Sequence, residues 1–406
     1  VSARRLSICY VVPGHSLVAS AGPTRNVLSL ARALSRWADV TVAFQRLADA
    51  EAPDGVRLEE IEPGGRIKAT RGDDAAVRGI SYGEFVRYLR QLRRFAATRL
   101  LAHDVVLEKS WLLSGYLSSY CRRRGVLGVP VENLVPDPVH VARGDRAKLA
   151  RLQVGRWLAG HYLRRAPLII AETEFLKAAL AGDFRIAPER IAVVDLGVDR
   201  ALFRPLDQAA ARRRLGIAPD RTVLLYVGVL DDIHDLGPLL EAVRAAPDPA
   251  IELHLVGDGP HTGRYREQAR GAANVIFHGR VAHACVPELI AAADLCVAPY
   301  DPKVFIAGNL GYSTMKIPEY LSCGRPVASV PSGRIPQLVQ HGVAGFLFPN
   351  QTSEWRRFLA APPARERLRR MGEAAAQVPL SSWDDTAQGY LALCERQLAA
   401  IAKARA

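Results

Sequence analysis

Lys316 and Glu319 stand three residues apart behind the polar stretch Asn309-Leu310-Gly311-Tyr312-Ser313-Thr314-Met315, and the run continues to Cys323-Gly324-Arg325-Pro326. At helical spacing this is one face, a cation at a helix start and a carboxylate one turn on. Such a face suits a diphosphate at the helix start and ribose hydroxyls at the carboxylate. Taken alone, it is also the pattern of a surface salt pair worth about 0.3 kcal/mol. Two glycine turns carry similar chemistry. Val12-Pro13-Gly14 ends an apolar run, and Ala21-Gly22-Pro23-Thr24-Arg25-Asn26 opens a helical pattern. Glycine allows close backbone approach, Pro23 fits a first helical turn, and the helix start offers N–H groups and roughly half a positive charge to a phosphate. Arg25 would reinforce that charge, although an arginine there is commonly solvated. The third turn, Gly257-Asp258-Gly259-Pro260, follows an apolar run but lacks GxGxxG and holds a proline, which disfavours a dinucleotide.

Strands and helices must place these turns. Apolar runs predict strands over 6–12, 40–44, 56–61, 105–107, 126–131, 168–171 and 191–194, with helical periodicity over 23–37, 85–101, 113–123 and 146–165. The second half repeats the scheme, with strands over 223–227, 251–256, 275–277, 295–298, 326–330 and 346–348 and helices over 236–244 and from 263. Alternation of this kind specifies α/β architecture with parallel sheets covered by helices, and ligands beyond the carboxyl ends of the strands. A chain of 406 residues is long for one core. The expectation is two Rossmann-like domains facing across a cleft, 1–204 and 205–382. The seam is Phe203-Arg204-Pro205-Leu206, and 383–406 is a terminal helix crossing back to the first domain.

Composition narrows the classes. The chain is 49% apolar and 23% charged, the balance of a folded globular protein. No apolar run approaches the roughly 20 residues that span a bilayer. Arg4-Arg5 ahead of an apolar run imitates a short signal peptide, but Pro13-Gly14 follows with no small-residue cleavage site, so a buried first strand is expected. The six cysteines are scattered without CxxC, which implies a reduced, cytoplasmic setting. The net charge is +13. Over 85–100, Phe85, Leu89, Leu92 and Ala96 share one side and Arg87, Arg90 and Arg94 the other. The stretch 142–165 brings Arg143, Arg146, Lys148, Arg151, Arg156, Arg164 and Arg165. Solvated helix faces are the plain expectation, and a peripheral contact with an anionic membrane is the alternative. Without a helix-turn-helix, zinc or RNP signature, no nucleic-acid partner is expected.

A fourth segment supplies context. It runs from Leu168 to Glu172, through Phe175-Leu176-Lys177, then Ala187-Pro188-Glu189-Arg190-Ile191 and Asp195-Leu196-Gly197-Val198-Asp199, and ends at Phe203-Arg204-Pro205. With it, the order of motifs from Leu6 to the last helix resembles the GT-B-fold glycosyltransferases of the retaining group called family four, glycosyl transferases group 1. The resemblance implies that Gly22 and its neighbours bear on the donor phosphates and sugar. It makes 224–228, ending at Gly228, the entry to the nucleotide site, with Gly257 among the donor-binding positions. Arg280-Val281 would pass the base, and 331–336 would be the loop after the next strand. Gly311, Tyr312, Ser313 and Thr314 would form the donor loop, the last two offering N–H groups to the diphosphate. Lys316 would be a diphosphate cation and Glu319 the ribose ligand.

Three departures from the family stand out. Val229 and His234 occupy positions where the family often has an arginine and a lysine, so one cation is missing and the other depends on pH. Gly311 replaces the glutamate that precedes Glu319, which bears on the transferred sugar. Glu132 and Asn133 stand where a histidine is common. The expected catalytic set is therefore Gly22, Glu132, Asn133 and Lys316, with His15 and His140 against the acceptor.

The expected activity is retaining transfer of a sugar from a nucleotide-diphosphate sugar to a natural-product or metabolite acceptor. No cofactor or metal is expected: no Asp-x-Asp ends a strand beside the motifs, and Asp231-Asp232 is the nearest acidic pair. The alternatives are an enzyme acting at a membrane surface on a lipid-linked or polysaccharide acceptor, and a nucleotide-sugar-binding protein without turnover.

Overall fold

A computed structural model describes residues 4–17, 22–47, 51–61 and 82–405. The chain divides into two compact units, Val1–Gly197 with Gly311–Ser313 and Trp383–Ala406, and Val198–Leu310 with Thr314–Ser382. The boundary lies ahead of the expected seam at Phe203-Arg204. Val198 donates its N–H to Ser381 C=O at 2.9 Å and bridges Ser382, which commits the chain to the second unit before the proline is reached.

The first unit holds a sheet of seven strands: β1 (Ser7–Leu17), β2 (Asp39–Leu47), β3 (Val56–Glu60), β4 (Val105–Lys109), β5 (Leu127–Glu132), β6 (Ile169–Ala171) and β7 (Ile191–Val193). Their spatial order is β3-β2-β1-β4-β5-β6-β7, and every pairing is parallel. The order reverses between β1 and β4, so the loops leaving those strands flank a topological switch point. β1 does not stop at Pro13-Gly14: its pairing with β2 slips between Val12 and Ser16 and resumes through Leu17. A proline has no N–H for the ladder, and the irregularity, with Gly14 at φ 75°, absorbs it.

Helices cover both faces of this sheet. One layer buries Val27, Leu30 and Leu34 of the helix Gly22–Leu34 with Tyr390, Leu391 and Cys394 of the terminal helix Trp383–Arg405. The other buries Tyr88, Leu92, Phe95 and Ala96 of the helix Tyr82–Thr98 with Trp111 and Leu117. Arg87, Arg90 and Arg94 of that helix are exposed, as its apolar periodicity requires.

The second unit holds six parallel strands: β8 (Thr222–Val227), β9 (Ile251–Val256), β10 (Val275–Gly279), β11 (Leu295–Ala298), β12 (Val327–Ser329) and β13 (Gly345–Leu347). Their order is β10-β9-β8-β11-β12-β13, with the reversal between β8 and β11. Arg212 pins the helix Gln208–Leu215 to this sheet through Asp294 at 2.6 Å, and Asp294 also accepts the Val223 N–H. Each unit is thus a Rossmann-like doubly wound sheet. Among the described residues no helix is long and apolar enough to cross a membrane.

Candidate active site

Gly228 and Gly257 leave the carboxyl ends of β8 and β9, and their backbones pack too closely for side chains. A Cβ on Gly257 would lie 1.9 Å from the Gly228 carbonyl oxygen, and its φ of 127° itself favours glycine. A Cβ on Gly228 would lie 2.8 Å from Lys316 Nζ and 2.9 Å from the Tyr226 hydroxyl. The helix Lys316–Ser322 is fixed there by Tyr320, whose hydroxyl accepts the Val227 N–H at 2.8 Å. One anchor therefore sets both Lys316 and Glu319 against the end of β8.

Lys316 is not an exposed partner of Glu319. Its ammonium is buried, 4.6 Å from the Tyr226 ring and 5.3 Å from the Tyr300 ring, and it donates to the Tyr226 hydroxyl at 3.3 Å. Burial pushes it down to about 7, with Asp231 and Glu319 pulling the other way. Glu319 instead meets His283, with Nε2 3.6 Å from its Oε1. Tyr300 shares a 2.7 Å hydrogen bond with the Thr314 hydroxyl, which ties the start of the helix to the loop after β11.

His234 departs from expectation. It is half-buried, with its side chain 11% exposed and Nδ1 2.8 Å from Asp231 Oδ1. Its ring lies 5.1 Å from Tyr300 and 6.0 Å from Tyr226, the same two rings that enclose Lys316. Burial and then Lys316 hold it below the usual histidine range, and Asp231 does not reverse this. The Asp231 charge and hydrogen bond oppose the shift, and desolvation outweighs them, since burial disfavours the charged form. Asp232 pairs with His261 at 3.1 Å instead, and Asp235 accepts the Gly237 N–H.

The other donor-side residues of this unit lie apart from that cage or at its edge. Arg280 is mostly exposed and meets Asp258 at 3.4 Å, while Val281 is half-buried. Asp258 accepts from the Thr262 hydroxyl and the Gly259 N–H, so the Gly-Asp-Gly-Pro turn is closed on itself.

In the first unit, β4, β5 and β6 end in buried ionisable groups. Glu108 accepts from Trp111 Nε1 at 2.8 Å and from the Leu117 and Ser118 N–H groups, a structural role at the start of the helix Tyr116–Arg122. Glu132 is 3% exposed, and its Oε1 has no hydrogen-bond partner among the described residues. Burial raises it to about 8, with Glu108 adding to the rise and Ser114 and Lys109 opposing it. Asn133 accepts from the Ser110 hydroxyl. Glu172, one residue past β6, is raised by burial to about 7 against Lys109, Asn26 and the Ser313 N–H. Thr173 Oγ1 donates to the Gly311 carbonyl at 2.6 Å. The Ser313 N–H, expected to face a diphosphate, is thus engaged by Glu172 here. Tyr312 is half-buried in the same loop.

Gly22 opens its helix with no atom within 4 Å of an added Cβ, and Arg25 is half-buried. His140 lies in the short helix Pro138–Ala142 capped by Asp137. His15 is in β1, but its side chain, like Ala21, lies outside the described residues. Among the described residues no group of three or more His, Cys, Asp or Glu side chains is placed to hold a metal ion. Sequence reasoning gave no role of their own to Tyr226, Tyr300, His283 and Glu172, and it weighed Asp231 only as half of an acidic pair. The signal for Tyr226 was its place in 224–228, two residues before Gly228.

A family profile described as glycosyl transferases group 1 matches residues 221–359. The D-inositol 3-phosphate glycosyltransferase of Segniliparus rotundus is 30% identical over 323 residues, 74% of this chain and 68% of that protein. Its namesake from Actinosynnema mirum is 27% identical over 390 residues, 90% of each chain. Among solved structures, sucrose-phosphate synthase from Thermosynechococcus elongatus superposes with a TM-score of 0.76 at 19% identity, covering 98% of this chain and 100% of that one. Anabaena HepE in complex with UDP and glucose gives 0.70 at 18% identity, covering 96% and 100%.

Proposed function

Because the chain belongs to the group 1 glycosyltransferases, enzymes of GT-B fold that use nucleotide sugars, we propose that it transfers a hexose with retention, in the manner of family four, to a small-molecule acceptor. The observation that carries this is the Lys316 ammonium, held beside Gly228 at the switch point of the second sheet, where nucleotide ligands of such sheets bind. The leaving diphosphate gathers negative charge as the anomeric carbon becomes oxocarbenium-like. Lys316 and nearby N–H groups stabilise that charge, each preorganised group contributing about 3 kcal/mol by analogy with oxyanion holes. The diphosphate accepts the acceptor's proton, so no enzymic base is required. The relatives' names specify an inositol phosphate, and we carry over only the class, a small polar alcohol.

The test is incubation of the purified protein with UDP-, GDP-, ADP- and dTDP-glucose and a panel of small polyols and their phosphates. Diphosphate release with a glycosylated product of unchanged anomeric configuration supports the proposal. Tight nucleotide binding without product from any acceptor would make the chain a binding protein. Turnover is expected to survive excess EDTA. Loss restored by manganese or magnesium would assign Asp231 and Asp232 to a metal instead.

Two substitutions probe the donor side. Glu319→Ala is expected to weaken binding of the preferred diphosphate by about 1.5–3 kcal/mol, the range of a charge-assisted hydrogen bond, as read by calorimetry. Unchanged affinity in a folded variant would remove it from the ribose. Gly228→Ala is expected to strain the end of β8, because φ is 157° there and the added Cβ meets both Lys316 Nζ and the Tyr226 hydroxyl. Displacing Nζ should lower diphosphate affinity about tenfold, or about 1.4 kcal/mol.

A lipid-surface acceptor is favoured by one feature of the first unit. Val154 and Trp157 on the helix Arg146–Leu163 are 58% and 66% exposed, and Val139 is 63% exposed, among exposed Arg143, Arg146 and Arg151. Apolar side chains set among arginines suit an anionic interface. Co-sedimentation with vesicles containing anionic lipid, lost in Trp157→Ser, would favour that acceptor class; no partition at moderate salt would exclude it.

A further inference from the structure

A histidine and a lysine share one aromatic enclosure at the end of β8. His234 and Lys316 share the same two aromatic neighbours, Tyr226 and Tyr300, at 4.6–6.0 Å. A single oxygen, Asp231 Oδ1, accepts from the Ile233 N–H, the His234 N–H and the His234 ring, at 3.0, 3.0 and 2.8 Å. The backbone turn and the ring orientation of His234 are thus fixed by the same carboxylate. Five hydroxyl or charged groups face the pair from the packed elements. They are Tyr226 from β8, Tyr300 from the loop after β11, Tyr265 from the helix Thr262–Gln268 through the His234 carbonyl, Glu319 from the helix of Lys316, and Asp231 itself. Two bases in one cage repel each other's protons, and the carboxylates of Asp231 and Glu319 do not offset the desolvation.

We propose that Asp231 is a positioning residue of the donor site, holding the His234 ring beside Lys316 so that a nucleoside-diphosphate sugar is met by two nitrogens that take up protons as it binds. This rests on the nucleotide-sugar assignment of the site. It follows from linkage: a doubly negative ligand beside groups held below their ordinary pKa values draws protons onto them, so binding weakens as pH rises. His234 then supplies, on demand, the second cation that its position would otherwise lack. Asp231 stabilises that imidazolium and orients it, as a carboxylate does for histidine elsewhere.

The probe is UDP-glucose, with GDP-, ADP- and dTDP-glucose tried in turn, because a sugar diphosphate has no ionisation of its own near neutrality. Titration calorimetry at pH 7.5 in two buffers of different ionisation enthalpy counts the protons taken up. Wild type should take up about one proton per ligand, and its Kd should rise up to about tenfold per pH unit between pH 7 and 8.5. Asp231→Asn keeps an oxygen for the backbone N–H groups but loses the charge. It should lower the proton count and weaken binding most at high pH, and His234→Asn should lower the count similarly. A merely structural role would change Kd without changing the proton count. Binding with no proton uptake, or with a count identical in wild type and both folded variants, would overturn the inference and leave the donor assignment standing. Failure of all four sugar nucleotides to bind would overturn that assignment and the inference with it.

Discussion

Lys316→Met is expected to lower turnover about 10²–10³-fold while making the second unit harder to unfold. The loss follows from removing the buried cation at the developing diphosphate charge, comparable with deleting one preorganised oxyanion donor. The gain follows from what the fold bears to keep an ammonium there. In the unfolded chain the lysine titrates near 10.5, and in the fold burial brings it to about 7. Below pH 7 the lysine is protonated in both states, so the full cost of burying the charge is present. Between about 7 and 10.5 the unfolded chain holds a proton that the folded one has released, so stability rises with pH through that window. The methionine variant should therefore gain most below pH 7 and progressively less toward pH 10. Asp231 and Glu319 lose a countercharge, which limits the gain to less than the full cost of burying the ammonium. Thermal unfolding at pH 6 should show a rise of about 2–4 °C per kcal/mol. A lower midpoint at pH 6 would show that the lysine is structural, and unimpaired turnover would remove it from the reaction.

Much of this arrangement was legible in the chain. The alternation of apolar strands and amphipathic helices specified both sheets, because parallel strands buried on both faces must read as short apolar runs. Lys316, Glu319, Gly228 and Gly257 were readable because spacing and glycine carry geometry directly. Their environment was not. Helical spacing places Lys316 and Glu319 on one face, yet it does not reveal that Tyr320 docks that face onto Val227 and buries the ammonium. His234 shows the same limit. Its position predicts a cation that depends on pH, whereas the ring is packed against Asp231 and desolvation decides the outcome. The loop Gly311–Ser313 read as a phosphate loop because glycine and small polar residues preceded a helix. That it is tied to Glu172 and Thr173 depends on a residue more than a hundred positions earlier, and no local pattern carries such a pairing. The break of β1 at Pro13-Gly14 failed for another reason: a local irregularity lets a strand pass a proline that propensity alone would treat as a stop.

Glu132→Gln is expected to remove most of a pH dependence of stability in the first unit. Glu132 ends β5 buried, and its Oε1 has no hydrogen-bond partner among the described residues. Burial raises its carboxyl from 4.5 to about 8. A group whose folded pKa lies above its unfolded value contributes stability that is complete below the unfolded pKa. That stability is lost as pH rises through the folded one. From pH 4.5 to 8 the folded unit therefore holds a proton that the unfolded chain gives up, and it weakens steadily across that window. Glutamine has the shape of the neutral acid and does not titrate. It should be close to wild type at pH 4.5 and more stable above pH 8, by a few kcal/mol at an exchange of about 1.4 kcal/mol per pKa unit. Glu172 weakens the unit over an overlapping range, from 4.5 to about 7, so the wild-type slope alone mixes the two. The difference between wild type and Glu132→Gln reads Glu132, and the double variant with Glu172→Gln should be flatter still, leaving the slope of Glu108, which burial also raises. Hydrogen exchange along β5 between pH 5 and 9, corrected for intrinsic exchange, reads the first unit separately from the second. Turnover gives an independent reading. If Glu132 serves the reaction as a neutral hydrogen-bond donor, wild-type activity falls as pH passes about 8, whereas the glutamine variant remains active there. Parallel stability profiles in wild type and variant would show that Glu132 is ionised throughout. A role for Glu132 as a neutral acid in the reaction would then be wrong.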